Sequence, residues 1–131
     1  MIIKDHTSPA VLVVEDVAET RDGIEKLLKA DGYRVEVARD ERDAIESAQL
    51  KHPDLILLSL AGLLSDVVVI AHRIRNCADI SDVPVVVLCV EGVGEGDEIA
   101  IGQNVHITQP DNFNQLRRLL IRLLDEIPAA A

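Results

Sequence analysis

Glu15 and Asp16 stand side by side at the end of an apolar run, Val11-Leu12-Val13-Val14. Adjacent carboxylates of this kind can hold a divalent cation, because Mg²⁺ and Ca²⁺ take hard oxygen donors. They also serve, without any metal, as polar strand-end residues that cap a following helix. Three more residues end similar runs: Ser59 after Leu55-Ile56-Leu57-Leu58, Cys89 after Val85-Val86-Val87-Leu88, and Gln109 just past Val105-His106-Ile107. A hydroxyl or thiol becomes a nucleophile only beside a base or in a positive environment. No histidine adjoins Ser59 and nothing basic adjoins Cys89, so Ser59 reads as a small neutral filler and Cys89 as a buried apolar one. Histidine is the side chain suited to a pH switch, but the short run around His106 suits a surface or edge histidine. His6, His52 and His72 have no ligand-like spacing.

These residues need elements to position them. The stretch after Asp16 puts Ile24, Leu27 and Leu28 on one face at helical spacing, with Gly32 placed for a left-handed cap. Val35 and Val37 alternate with charges, as in a half-exposed strand. Asp40 caps a second helix bearing Ala44, Ile45 and Ala48, which stops before Pro53. Leu63 to Ile74 reads as a third helix despite the β-branched block Val67-Val68-Val69-Ile70. Gly92, Gly94 and Gly96 mark a flexible acidic stretch, followed by a short helix around Asp97 to Ile101. The last helix runs from about Asn112 to Ile127 and ends at Pro128.

Continuous apolar strands without alternation are buried on both faces, as in a parallel sheet covered by helices. Strand and helix alternating five times therefore predict an α/β, flavodoxin-like (βα)₅ sandwich with a five-stranded parallel sheet, ordered 2-1-3-4-5. In such sheets chemistry sits beyond the carboxyl ends of the strands, which selects Glu15, Asp16, Ser59, Cys89 and Gln109. Residues 1–9 read as an N-terminal extension, 10–127 as one domain and 128–131 as a tail.

Composition removes several function classes. The 131 residues carry 13 Lys and Arg against 23 Asp and Glu, a net charge of −10. Phosphate backbones are bound mainly by cations, and with only Tyr33 and Phe113 there is no stacking platform, so nucleic acid is not an expected partner. Cys77 and Cys89 form neither a disulfide framework nor a zinc spacing. The amino terminus turns polar at once, and the longest apolar span, Leu55 to Leu64, is about half the length of a membrane helix. The expectation is a soluble, cytoplasmic protein with no membrane partner. No P-loop or GxGxxG is present, and Glu15-Asp16-Val17-Ala18-Glu19 is the electrostatic opposite of a phosphate-binding loop.

Over roughly residues 10–127 the chain resembles the receiver domain of two-component response regulators. The resemblance rests on Val11 to Asp16, Pro53-Asp54 through Leu60, Val83-Pro84 through Cys89, and Gly102 to Pro110. It implies an acidic pair and an acceptor aspartate that take a phosphoryl group from a histidine kinase with a bound magnesium ion. It also implies a Ser or Thr after the fourth strand and a Lys before the fifth-strand Pro. This chain keeps Glu15 and Asp16 but has Ser59, Cys89 and Gln109 at the other three positions, and His106 at the usual aromatic switch position. Losing a carboxylate and the lysine together removes a metal ligand and the cation that offsets phosphoryl charge. The implied reading is a degenerate, non-enzymatic pseudo-receiver with no cofactor expected, Glu15 and Asp16 remaining its only Mg²⁺ candidates. Its expected work is phosphorylation-independent protein interaction, with a histidine kinase, an output domain or a second copy. The alternative is a phosphorylatable receiver with an unusual acceptor or cation site. The apolar surplus of the last helix makes Leu119, Ile121 and Arg122 the candidate partner face, and Val67 to Ile70 raises the same expectation for the third helix.

Overall fold

The computed structural model describes residues 8–61, 63–88, 98–101, 104–109 and 112–125. Its elements are β1 (Ala10–Glu15), α1 (Ala18–Ala30), β2 (Arg34–Ala38), α2 (Glu41–Lys51), β3 (Leu55–Ser59), α3 (Leu64–Cys77), β4 (Val85–Leu88), β5 (Glu98–Ile101), β6 (Val105–Thr108) and α4 (Phe113–Asp125). The sheet order is β2-β1-β3-β4-β6-β5. β2, β1, β3, β4 and β6 are parallel to one another, in the 2-1-3-4-5 order expected for five such strands.

The sixth strand is a correction. Residues around Asp97 to Ile101 were expected to be helical, but Glu98–Ile101 is a strand, antiparallel to β6. A four-residue stretch is too short for helical periodicity to declare itself, and a pairing partner decides its state. The sheet is therefore mixed, with four helices among the described residues. His106 changes position as a result: β6 lies between β4 and β5, so His106 is not on an edge strand.

Apolar side chains leave the central strands on both sides. Leu12, Val14, Ile56, Leu58, Val85 and Val87 pack under α2 and α3, joined by Ala44, Ala48, Ala71 and Ile74. Val11, Val13, Leu55, Leu57 and Val86 pack under α1 and α4, against Leu28, Leu116, Leu120 and Leu123. Burial of each large aliphatic side chain contributes about 1.5–3 kcal/mol, which is why these unbroken runs specify the interior. α3 is helical as expected. Its Val67 is buried and Val68 and Ile70 are half-buried, leaving Val69 as the exposed member of the block.

Local signals act as anticipated. Asp40 accepts a 2.8 Å hydrogen bond from the Asp43 N–H at the start of α2. Gly32 follows α1 with φ +96°. Asp54, beside Pro53, aligns β1 and β3 at their beginnings: its Oδ2 accepts from Ala10 N–H at 2.8 Å, and its own N–H donates to the Ala10 carbonyl. Among the described residues no helix is long and apolar enough to cross a membrane.

Candidate functional site

The β1–β3 register puts Glu15 directly beside Ser59. Alternation along the strands turns residues 11, 13 and 15, and likewise 55, 57 and 59, toward the α1/α4 layer. Glu15 is buried and Ser59 half-buried. The Ser59 hydroxyl donates to Glu15 Oε1 at 2.6 Å, and the Val17 N–H donates to Glu15 Oε2 at 3.1 Å. α1 begins after Val17, whose side chain caps nothing. The Glu15 carboxylate takes over that duty, satisfying a free helix-start N–H and placing negative charge at the positive end of α1. Both carboxylate oxygens thus have donors from the chain itself, the condition a buried charge requires. Arg21 reaches the same corner, but its Nη1 donates to the Glu15 backbone carbonyl at 3.0 Å rather than to the carboxylate.

Asp16 lies one residue past the strand and is exposed. The sequence neighbours Glu15 and Asp16 therefore differ in setting, one buried in the sheet end and one in solvent. Gln109 follows β6 and is half-buried, with all of β4 between its strand and that of Ser59. Cys89 lies outside the described residues. His106 is half-buried in the middle of β6. Among the described residues no group of three or more His, Cys, Asp or Glu side chains comes together as a metal site.

The expected partner face divides. Leu119 is buried, 6 % exposed, in the α1/α4 core, so it belongs to the packing and not to a free surface. A helix that must cover several strands needs a wide apolar stripe, and Leu119 lies within it. Ile121 is 47 % exposed and lines a hollow of about 270 Å³ with Pro9, Asp31, Gly32, Tyr33 and Arg117. Arg122 faces a second, separate hollow with Thr108, Gln115, Arg118 and Leu119. Arg118 had no place in the sequence-based set, although its spacing of four from Arg122 was visible there. Arg21 and the Val17 N–H were also missed, since neither lies in an ordered motif.

The polar cluster of Glu15 and Ser59 lies at the carboxyl ends of β1 and β3, the end of the sheet at which doubly wound α/β folds generally carry their sites. The profile of the response regulator receiver domain matches residues 11–120, and the chain belongs to that family. Curated relatives include the transcriptional regulatory protein PrrA of Mycobacterium tuberculosis, 38 % identical over 82 residues, covering 63 % of this chain and 34 % of the relative. The DNA-binding dual master transcriptional regulator RpaA of Synechocystis is 30 % identical over 129 residues, covering 94 % of this chain and 53 % of RpaA. The chain thus spans between about a third and about half of the lengths of these relatives. Among solved structures, the receiver domain of sensor histidine kinase PA1611 from Pseudomonas aeruginosa PAO1, with magnesium coordinated in its active-site cleft, has a TM-score of 0.70 at 27 % identity, covering 92 % of this chain and 100 % of that one. The chemotaxis protein CheY4 of Vibrio cholerae has a TM-score of 0.69 at 22 % identity over 89 % of this chain and 99 % of that one, a likeness of fold.

Proposed function

We propose that this receiver domain works in two-component signalling without being phosphorylated, as a protein–protein interaction module. The observation that carries the reading is the Ser59–Glu15–Val17 arrangement, in which a neutral hydroxyl occupies the end of β3 and each oxygen of the neighbouring carboxylate accepts a hydrogen bond from the chain. A cation at this corner would share Glu15 with the Ser59 and Val17 donors and have exposed Asp16 as its other carboxylate. That donor set is poor for octahedral Mg²⁺, which requires near-ideal oxygen geometry. Neutral Gln109 after β6 supplies no charge to offset a phosphoryl group. With its pocket inert, the domain acts through its surfaces, on a partner such as a kinase or output domain.

Amide NMR of the chain titrated with Mg²⁺, then with beryllofluoride or acetyl phosphate, followed by intact mass, tests this. Unchanged spectra around Glu15, Asp16 and Ser59 and an unchanged mass are expected. Saturable shifts there with an added phosphoryl mass would overturn it.

One observation favours the alternative of a phosphorylatable Ser59. Glu15 Oε1, 2.6 Å from the hydroxyl, is placed to accept its proton as Oγ attacks the phosphorus of a donor such as acetyl phosphate and acetate leaves. The same mass measurement, with the modified residue mapped, decides between the two.

A further inference from the structure

The two edges of the sheet are guarded differently. β2 forms one edge, and its run Arg34-Val35-Glu36-Val37-Ala38 interleaves charged and apolar residues. Arg34 donates from Nε to the Ser8 carbonyl at 3.0 Å, and Lys51 Nζ stands 3.8 Å from Glu36. β5 forms the other edge as Glu98-Ile99-Ala100-Ile101, and among the described residues it pairs with β6 alone. It has no proline, no lysine and no charge past Glu98, although these are the usual devices that keep a sheet edge from pairing. The hairpin of β5 and β6 is tied to the rest of the sheet at its turn. Asn104, just before β6, takes the left-handed conformation with φ +62°. Its carbonyl accepts from the Val85 N–H at 2.8 Å, and its Nδ2 donates to the Asp82 carbonyl at 3.2 Å.

We infer that the open edge of β5 is a dimerisation site, where a second copy of this chain adds its own β5 antiparallel and carries one sheet through both molecules. The inference rests on the interaction-module reading and names the partner. A row of backbone N–H and C=O groups complements the same row turned about a two-fold axis, so this edge matches itself. Bonded and non-bonded residue pairs alternate along an antiparallel ladder. The axis must therefore pass between one residue and its own symmetry mate, which near the middle of the strand means Ile99 or Ala100. Centred on Ile99, the two Glu98 positions would stand about 7 Å apart along the strands; centred on Ala100, about 14 Å. Only the second spacing exceeds the screening length of about 8–10 Å in moderate salt. Ala100 is also small and exposed. Charge and size thus select the register in which Ala100 faces Ala100, with Ile99 of each copy opposite Ile101 of the other.

Sedimentation velocity of the full chain over a concentration series is the test. A reversible monomer–dimer equilibrium is expected, with the β5 amides gaining protection from exchange as concentration rises. The dimer should tighten as salt is added, because each copy carries a net charge of −10. Ala100→Lys and Ala100→Glu each set like charges opposite one another across the axis, and each is expected to weaken the dimer about tenfold or more. An equimolar mixture of the two variants is expected to recover it, since lysine then faces glutamate. Because Ala100 is exposed, both variants keep the parent circular dichroism spectrum and melting temperature. A parent chain that stays monomeric would overturn the inference and leave the edge to an extended segment of another protein. So would a dimer untouched by either substitution, a mixture that fails to recover it, or association that weakens with salt. Failure here leaves the inert pocket untouched, whereas phosphorylation of Ser59 would end the inert-pocket reading whatever the dimer does.

Discussion

The Ser59 hydroxyl is bonded to the Glu15 carboxylate across the β1–β3 pair at 2.6 Å. It is a side-chain bond between residues that sit side by side in the parallel register, and it joins the ends of two central strands. Removing it with Ser59→Ala leaves a buried carboxylate oxygen short of a donor, an expected cost of about 1–3 kcal/mol in urea unfolding.

Ser59→Asp makes the opposite test. A second carboxylate against Glu15 places like charges in contact, and one of them must be raised in pKa to coexist. The variant should melt lower than Ser59→Ala at neutral pH and recover part of the difference below about pH 5, where a carboxylate takes up a proton. Thermal melts of both variants across pH are the measurement, and identical pH profiles would show that the charges do not meet.

Arg73 donates two hydrogen bonds to Glu41, at 2.6 and 2.8 Å, tying α3 to α2. Its hydrogen bonds above all hold the Glu41 carboxyl below the ordinary value of 4.5, opposed by desolvation, helped to a smaller degree by the Arg73 charge, and opposed least by Asp40. The folded value being depressed, the resulting stability is fully present above the ordinary value and is lost as pH falls through the folded one. Arg73→Ala should return the Glu41 titration upward, read by carboxyl NMR. The change in stability should be small, because the pair is solvent-screened.

Asp40→Ala removes the side-chain acceptor of the Asp43 N–H. Helix caps of this type contribute about 0.5–2 kcal/mol, so the chain should remain folded with a lower unfolding midpoint and increased amide exchange at the start of α2.

Gly32→Ala isolates backbone conformation from packing. A Cβ at Gly32 would meet nothing within 4 Å, yet φ is +96°. The expected loss of about 1–2 kcal/mol comes from the left-handed backbone alone. Gly23, in mid-helix with equally open space around it, should respond to alanine with a gain of about 0.5–1 kcal/mol. Parallel denaturation curves of the two variants check both signs.

What could be read without coordinates is what depends on short stretches of chain. Unbroken runs such as Val11 to Val14 and Leu55 to Leu58 suit interior parallel strands, whose two faces are both buried. The Asp40 cap and the Gly32 turn are likewise local, each set by one side chain or one φ angle. The strand ends then bring Glu15 and Ser59 to the same edge by the logic of the fold, although they are 44 residues apart.

Tertiary structure decided the rest. Glu98 to Ile101 became a strand because β6 offers backbone partners, a long-range contact that four residues cannot announce. Leu119 and Ile121 both belong to the expected partner face, but two residues apart on α4 they point to nearly opposite sides, and the sheet covers Leu119 and leaves Ile121 exposed. Ser59 and Glu15 were separate candidates until the β1–β3 register made them donor and acceptor. Hydrophobicity specifies what must be inside. Register and helix placement, set by contacts between distant segments, determine which polar groups meet at the surface that remains.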